Sequence, residues 1–188
     1  GFVLAWAYSF PLILPLLAAT NLTVTNFPTV EYFTNLGTIS VPVQCLLGSD
    51  RPTPITSFVN RGLITANSIE VSAVDYDNSG TNQTTSLTAG VGGPISIRAG
   101  TAKFDGGLAG GLLSAGGSIL LAANDLKLRN HRLITSGTLV LSPTNSLTDV
   151  GASGTNRIDV ALGFALTVKP ASGDLLGTTI YTTAPFIG

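Results

Sequence analysis

A short phrase returns in phase along this chain and constrains its fold more than any other feature. The pattern [Phe/Tyr]-x-Asn-x-Gly occurs as Phe33-Thr-Asn35-Leu-Gly37, as Phe58-Val-Asn60-Arg-Gly62 and as Tyr76-Asp-Asn78-Ser-Gly80. A degenerate copy stands at Phe104-Asp-Gly106. A second phrase, apolar-x-apolar after a small or polar residue, follows at Ser68–Val71, Pro94–Ile97, Ser118–Leu121 and Thr138–Leu141. Its starts are 26, 24 and 20 residues apart. A period of that size points first to a solenoid, in which each repeat is one coil stacked on the next.

Every residue type in the phrase has a physical task in such a stack. Equivalent strands lie in parallel about 4.8 Å apart, and side chains alternate between core and solvent. Ile69 and Val71 then face the core, while Ser68 and Glu70 face water. An asparagine at a bend can bond the asparagine of the next coil through its amide. The glycine two residues later is expected to supply the positive φ of a tight corner. The aromatic ring fills the core beside that corner. The competing reading, in which Asn-x-Gly marks hairpin turns of an antiparallel sandwich, does not explain the coil-length spacing. The expected fold is all-β, a single-domain parallel β-solenoid. At roughly 20–26 residues per coil, residues 21–185 would form about six to eight coils and a rod about 30–40 Å long.

The first twenty residues are different. Phe2, Leu4, Trp6, Tyr8, Phe10, Leu12 and Leu14 occupy even positions, with small residues between the first of them. That alternation reads as a strand with one bulky face. Pro11 and Pro15 argue against a membrane helix or a signal core. A bulky strand face must be covered, and a solenoid leaves an open strand edge at each end. Residues 1–20 are therefore read as an apolar assembly segment and 21–188 as the solenoid. The sequence holds no Met, from which a mature or trimmed form is expected.

Charge narrows the function. Only 10% of residues are charged and the net charge is −1. There is no basic footprint for nucleic acid, and low charge suits close contact between subunits. The chain's one basic cluster, Lys127, Arg129 and Arg132, surrounds its only histidine, His131. We read His131 as a solvated turn residue and the cluster as a candidate patch for an anionic glycan or surface. Asp75 and Asp77 form a weak Ca²⁺ candidate, and Asp105 and Asp125 a pair that stacking would have to bring together for glycoside hydrolysis. No catalytic triad, Walker loop, Rossmann glycine pattern or Cys-x-x-Cys occurs, so neither enzyme activity nor a cofactor or metal is expected. Cys45 stands alone. It is read as a buried small residue, with an intermolecular bridge as the alternative.

The stretch Phe58–Ala73, with Gly93-Pro-Ile-Ser-Ile-Arg-Ala-Gly100, Gly117–Ala123 and Ser136–Leu141, resembles the large bacterial surface proteins built on filamentous-haemagglutinin-like parallel β-helices. The resemblance covers residues 57–142. It implies a β-helix at an extracellular or cell-surface location and brings no catalytic residues with it. The function expected is a structural subunit of a filament or surface assembly whose partner is another copy of itself, with no membrane span in the assembled form. An adhesin that binds glycans or cell surfaces is the alternative.

Overall fold

A computed structural model describes residues 31–49, 53–84, 92–108, 110–149 and 156–166, and the backbone of 172–173, 178–182 and 186–187. The chain is all-β in these residues. Its strands are β1 (Tyr32–Asn35), β2 (Thr38–Leu47), β3 (Ile55–Asn60), β4 (Leu63–Asn78), β5 (Thr81–Thr84), β6 (Ile95–Asp105), β7 (Gly111–Ala115) and β8 (Ile119–Arg129). They continue as β9 (His131–Thr135), β10 (Thr138–Asp149), β11 (Asn156–Val160), β12 (Gly163–Leu166), β13 (Ser172–Gly173), β14 (Thr178–Thr182) and β15 (Phe186–Ile187). Every pairing among them is parallel. No helix among the described residues is long and apolar enough to cross a membrane.

The register makes this a parallel β-solenoid with three faces. The first face stacks β1, β3 and the C-terminal parts of β4, β6, β8 and β10. The second stacks the start of β2, the start of β4, then β5, β7, β9, β11 and β14. The third stacks the end of β2, the middle of β4, the starts of β6, β8 and β10, then β12 and β15. On the first face Phe33 pairs with Phe58, then Tyr76, Ala102, Leu126 and Leu147 in turn, and the solenoid has about five turns, fewer than the six to eight coils expected from the repeat length. The stretch Phe58–Ala73 visits all three faces and is one whole coil.

The third face carries the apolar-x-apolar phrase. Ile69, Ile95, Ile119 and Leu139 stack in register, as do Val71, Ile97, Leu121 and Leu141. All eight are buried, so the 26, 24 and 20 residue intervals are the coil lengths on this face. Burying one such side chain stabilises by about 1.5–3 kcal/mol. Cys45 heads the first of these columns, opposite Ile69, and is fully buried. Burial pushes its thiol up to about 12, and a side chain inside the core has no access to a second molecule.

Beyond residue 142 the stack continues: β10 runs on to Asp149 and the second face goes on through β11. Pro143 is tolerated because the chain turns there from the third face to the first, and the register slips between Pro143 and Ser146. A proline costs nothing at a point where the ladder is already interrupted. The Phe104 copy of the phrase is out of phase. Phe104 pairs with Asn78, and Ala102 takes the place opposite Tyr76. A slip of two residues keeps the ring pointing inward.

Candidate functional site

The distinctive chemistry lies inside the corner between the first and second faces. Here Asn35, Asn60 and Asn78 stack in register and are buried. Asn35 Nδ2 donates to Asn60 Oδ1 at 2.8 Å, and Asn60 Nδ2 donates to Asn78 Oδ1 at 2.8 Å. The ladder has a direction, and the backbone sets it. Asn35 Nδ2 also reaches the Leu63 carbonyl, Asn60 Nδ2 the Thr81 carbonyl and Asn78 Nδ2 the Gly80 carbonyl, each at 3.3 Å. Carbonyls only accept, so each amide nitrogen points toward the C-terminal coils. The backbone N–H groups of Gly37 and Gly62 donate back to Asn35 Oδ1 and Asn60 Oδ1.

Asn82, on the second face, joins the ladder sideways. It donates to Asn78 Oδ1 at 3.2 Å and to the Tyr76 hydroxyl at 2.7 Å, and it accepts from Asn60. Beside the ladder runs a column of rings. Phe33 and Phe58 stack with centroids 5.2 Å apart, and Phe58 and Tyr76 with centroids 5.5 Å apart. Phe104 continues the column tilted, 5.5 Å from Tyr76. Burial raises the Tyr76 hydroxyl above its usual range.

The corner glycines have a different purpose from the one expected. Among the described glycines, positive φ occurs at Gly48, Gly107 and Gly110, not at Gly37, Gly62 or Gly80. Space is what they supply. A Cβ on Gly62 would overlap the backbone carbonyl of Gly37, and one on Gly80 would overlap that of Gly62. Those carbonyls accept from Leu63 N at 2.8 Å and Thr81 N at 2.9 Å. The coils approach so closely at this corner that only hydrogen fits.

His131 corrects the sequence reading most sharply. It is 2% exposed rather than solvated. The turn ends at Asn130, whose φ is 45°, and β9 begins with the imidazole turned inward. His131 is paired in register with Gly111. Because Gly111 has no side chain, the ring reaches past that coil and lies 2.9 Å from Asn78 Nδ2. It also meets the edge of Phe104 at 5.2 Å. His131 thus ends both the amide ladder and the ring column. Below it, Asn156 Oδ1 accepts from the His131 backbone N–H at 3.0 Å.

The other candidates lie on the outer surface. Lys127 pairs in register with Lys103, and Arg129 with Asp105. Arg129 lies 3.7 Å from Asp105, and Arg132, on the second face, 2.9 Å from Asp159. Lys103 sits between Asp77 at 3.8 Å and Asp105 at 3.7 Å. These are exposed pairs, each worth about 0–1 kcal/mol. Their effect is to balance the charge of the basic cluster from neighbouring coils. Asp105 and Asp125 are not brought together. Asp125 pairs with Thr101, four positions along the strand from Asp105, or about 13 Å. Asp125 instead accepts from Asn145 at 2.7 Å and from Ser146, which holds its carboxyl below the usual range. Among the described residues no group of His, Cys, Asp and Glu is placed to hold a metal ion. The assembly residues Phe2, Leu4, Trp6, Tyr8, Phe10, Leu12 and Leu14 lie outside the described residues.

The repeat phrase found the ladder asparagines, but Asn82, Gly111, His131 and Asn156 carry no mark in it. Thr84 and Thr135 also escape it. They bind the other end of the second face, where Thr84 Oγ1 donates to the Gly93 carbonyl at 2.7 Å and Thr135 Oγ1 to that of Gly117. Compared with known proteins, the chain matches no family model, no curated protein and no solved structure.

Proposed function

We propose that the chain is a non-enzymatic structural subunit of an extracellular filament or surface assembly, a homopolymer built by stacking solenoids, by donating the apolar N-terminal segment as a strand, or by both. The stacking itself carries this reading. On each of the three faces the strands of successive coils pair in parallel and in register, and a stack of this kind is extended by adding a further strand at its edge. The alternating bulky residues from Phe2 to Leu14 supply a strand suited to such an edge. The low charge of the chain limits the ions to be desolvated when copies pack. Electron microscopy of the full chain and of a form lacking residues 1–19 tests the reading. Polymers are expected from the first and their loss from the second. A full chain that stays monomeric sinks the filament, and an unchanged polymer from the shortened form sinks strand donation alone.

The first face gives the adhesin alternative its support. Asp75, Thr101, Asp125 and Ser146 form one outward column, and Asp77, Lys103, Lys127 and Thr148 the next. Flat columns of hydroxyl, carboxylate and ammonium groups suit the hydroxyls of a sugar chain. On this reading, glycan arrays show binding that Arg129→Ala and Arg132→Ala weaken about tenfold together, the loss of one or two charge-assisted bonds. An array with no bound glycan removes it. The filament has the stronger support, because both arginines are already engaged by Asp105 and Asp159.

A further inference from the structure

The direction of the amide ladder decides which nitrogen of His131 carries the proton. Asn78 Oδ1 is already occupied by donors from Asn60 and Asn82, and Asn78 Nδ2 faces the Gly80 carbonyl as well as the ring. Asn78 therefore donates to His131 Nε2, and Nε2 must be unprotonated. The neutral ring then has its hydrogen on Nδ1, which is buried and has no hydrogen-bond partner of ordinary geometry among the described residues.

We propose that His131 is an acid-sensitive lock on the solenoid core, in which protonation at Nε2 sets two donors against each other at Asn78 and passes the conflict up the ladder to Asn60 and Asn35. An imidazolium has donors on both nitrogens and nothing to accept with. Asn78 can face it only by turning its amide over. That would bring Asn78 Nδ2 against the donors of Asn60 and Asn82, and would strip the Gly80 carbonyl of its bond. Relief at Asn60 requires the same turn there, against the Gly62 N–H and the Thr81 carbonyl, and then at Asn35. Each step leaves a backbone group in conflict, so the neutral ring and the intact ladder are held together.

Among the described residues no carboxylate faces the imidazolium inside the core. On β6, Asp105 points outward to Lys103 and Arg129. On β4, Asp77 points outward to Lys103, and the Tyr76 hydroxyl is engaged by Asn82. On β11, Arg157 and Asp159 pair with each other on the surface. At the end of β10, Asp149 accepts from Asn156. Gly111 on β7 brings no group at all, and Arg129 and Arg132, flanking the histidine itself, repel a positive ring. Burial accordingly pushes His131 down to about 3, against smaller upward pulls from the Arg132 backbone and the Asp105 carboxylate.

The sign of the effect follows. The unfolded chain takes up this proton near pH 6.5 and the folded chain does not, so stability is full above about 6.5 and falls below it. The folding equilibrium constant should drop roughly tenfold per pH unit between about 6.5 and 4.5 through this group alone.

Since His131 is the chain's only histidine, its nuclear magnetic resonance signals are unambiguous. In the folded protein the ring signals should not titrate across that window, and the nitrogen shifts should report the Nδ1–H form. Urea unfolding should show the pH slope in the wild type and its absence in His131→Phe, which keeps a ring over Gly111. As acid is added, the side-chain amide protons of Asn35, Asn60 and Asn78 should lose their protection together. A ring that titrates near its ordinary value in the intact fold overturns the lock. So does an Nε2–H tautomer, an unchanged slope in His131→Phe, or a loss of protection confined to Asn78.

Discussion

Gly62→Ala should destabilise the protein by about 3–4 kcal/mol, the range of a severe steric insertion into a packed site. The added methyl would meet the Gly37 backbone, not a movable side chain. The Gly37 carbonyl it would displace holds the amide of Leu63 at 2.8 Å. Relief therefore requires the two coils to part at the corner, and parting them stretches the asparagine bond beside it. Gly107→Ala is the natural comparison. Gly107 has φ +57° and nothing within 4 Å of the added atom, so its cost is conformational only, about 1 kcal/mol. Urea unfolding of the two variants separates space from backbone conformation as the reason for glycine. If Gly62→Ala costs no more than Gly107→Ala, the corner is not a fixed close contact.

Asn60→Ala should cost about 3 kcal/mol, because its amide bonds on both sides at once and its loss strands buried partners. Asn35 loses its side-chain acceptor, and the Gly62 N–H loses Asn60 Oδ1. Asn78 and Asn82 each lose a donor. Asn60→Asp distinguishes lost packing from lost donation. A carboxylate keeps the shape but cannot donate to Asn78 Oδ1, Asn82 Oδ1 or the Thr81 carbonyl. Its buried charge should raise its folded pKa above the unfolded value of about 3.9, so the variant loses stability as pH rises through and above that value. Relative to wild type, the Asp variant should therefore recover part of its loss in acid. Equal losses for Ala and Asp at every pH would show that the ladder acts as filler rather than as a directed set of bonds.

These two effects connect the core to the proposed assembly. Both columns run along the solenoid axis, and each coil is positioned by the one before it. A subunit whose corner coils part would lose the regular edge on which stacking depends. Polymer growth should thus be sensitive to substitutions at Asn60 and Gly62, far from residues 1–20.

Much of this was legible in the residues. The fold class follows from the spacing of the third-face phrase, because apolar side chains at a fixed coil interval can be buried only by stacking. The ladder followed from Asn35, Asn60 and Asn78, since a buried amide needs a partner and the next coil supplies one. What was hidden depended on neighbours distant in sequence. His131 sits between charged residues in Lys127–Arg132, the pattern of a solvated turn. It is buried because Gly111, twenty residues earlier, leaves a ring-sized gap above it. Likewise nothing local at Phe104 shows that its coil has slipped by two positions relative to Tyr76.

The sequence by itself determined that the repeat region is a stack of parallel coils, that the apolar-x-apolar positions face inward and which corner carries the asparagines. These depend on periodicity, and alternation along a strand fixes them wherever the strand lies. Only the tertiary structure decided that the corner glycines answer to contact rather than to φ, that the basic cluster is balanced by Asp105 and Asp159, and that His131 closes the ladder. The physical reason is that coil lengths are unequal. From Phe33 to Phe58 the step is 25 residues and from Phe58 to Tyr76 it is 18. Loops absorb the difference, and only the stacked backbone reveals which side chains they bring face to face.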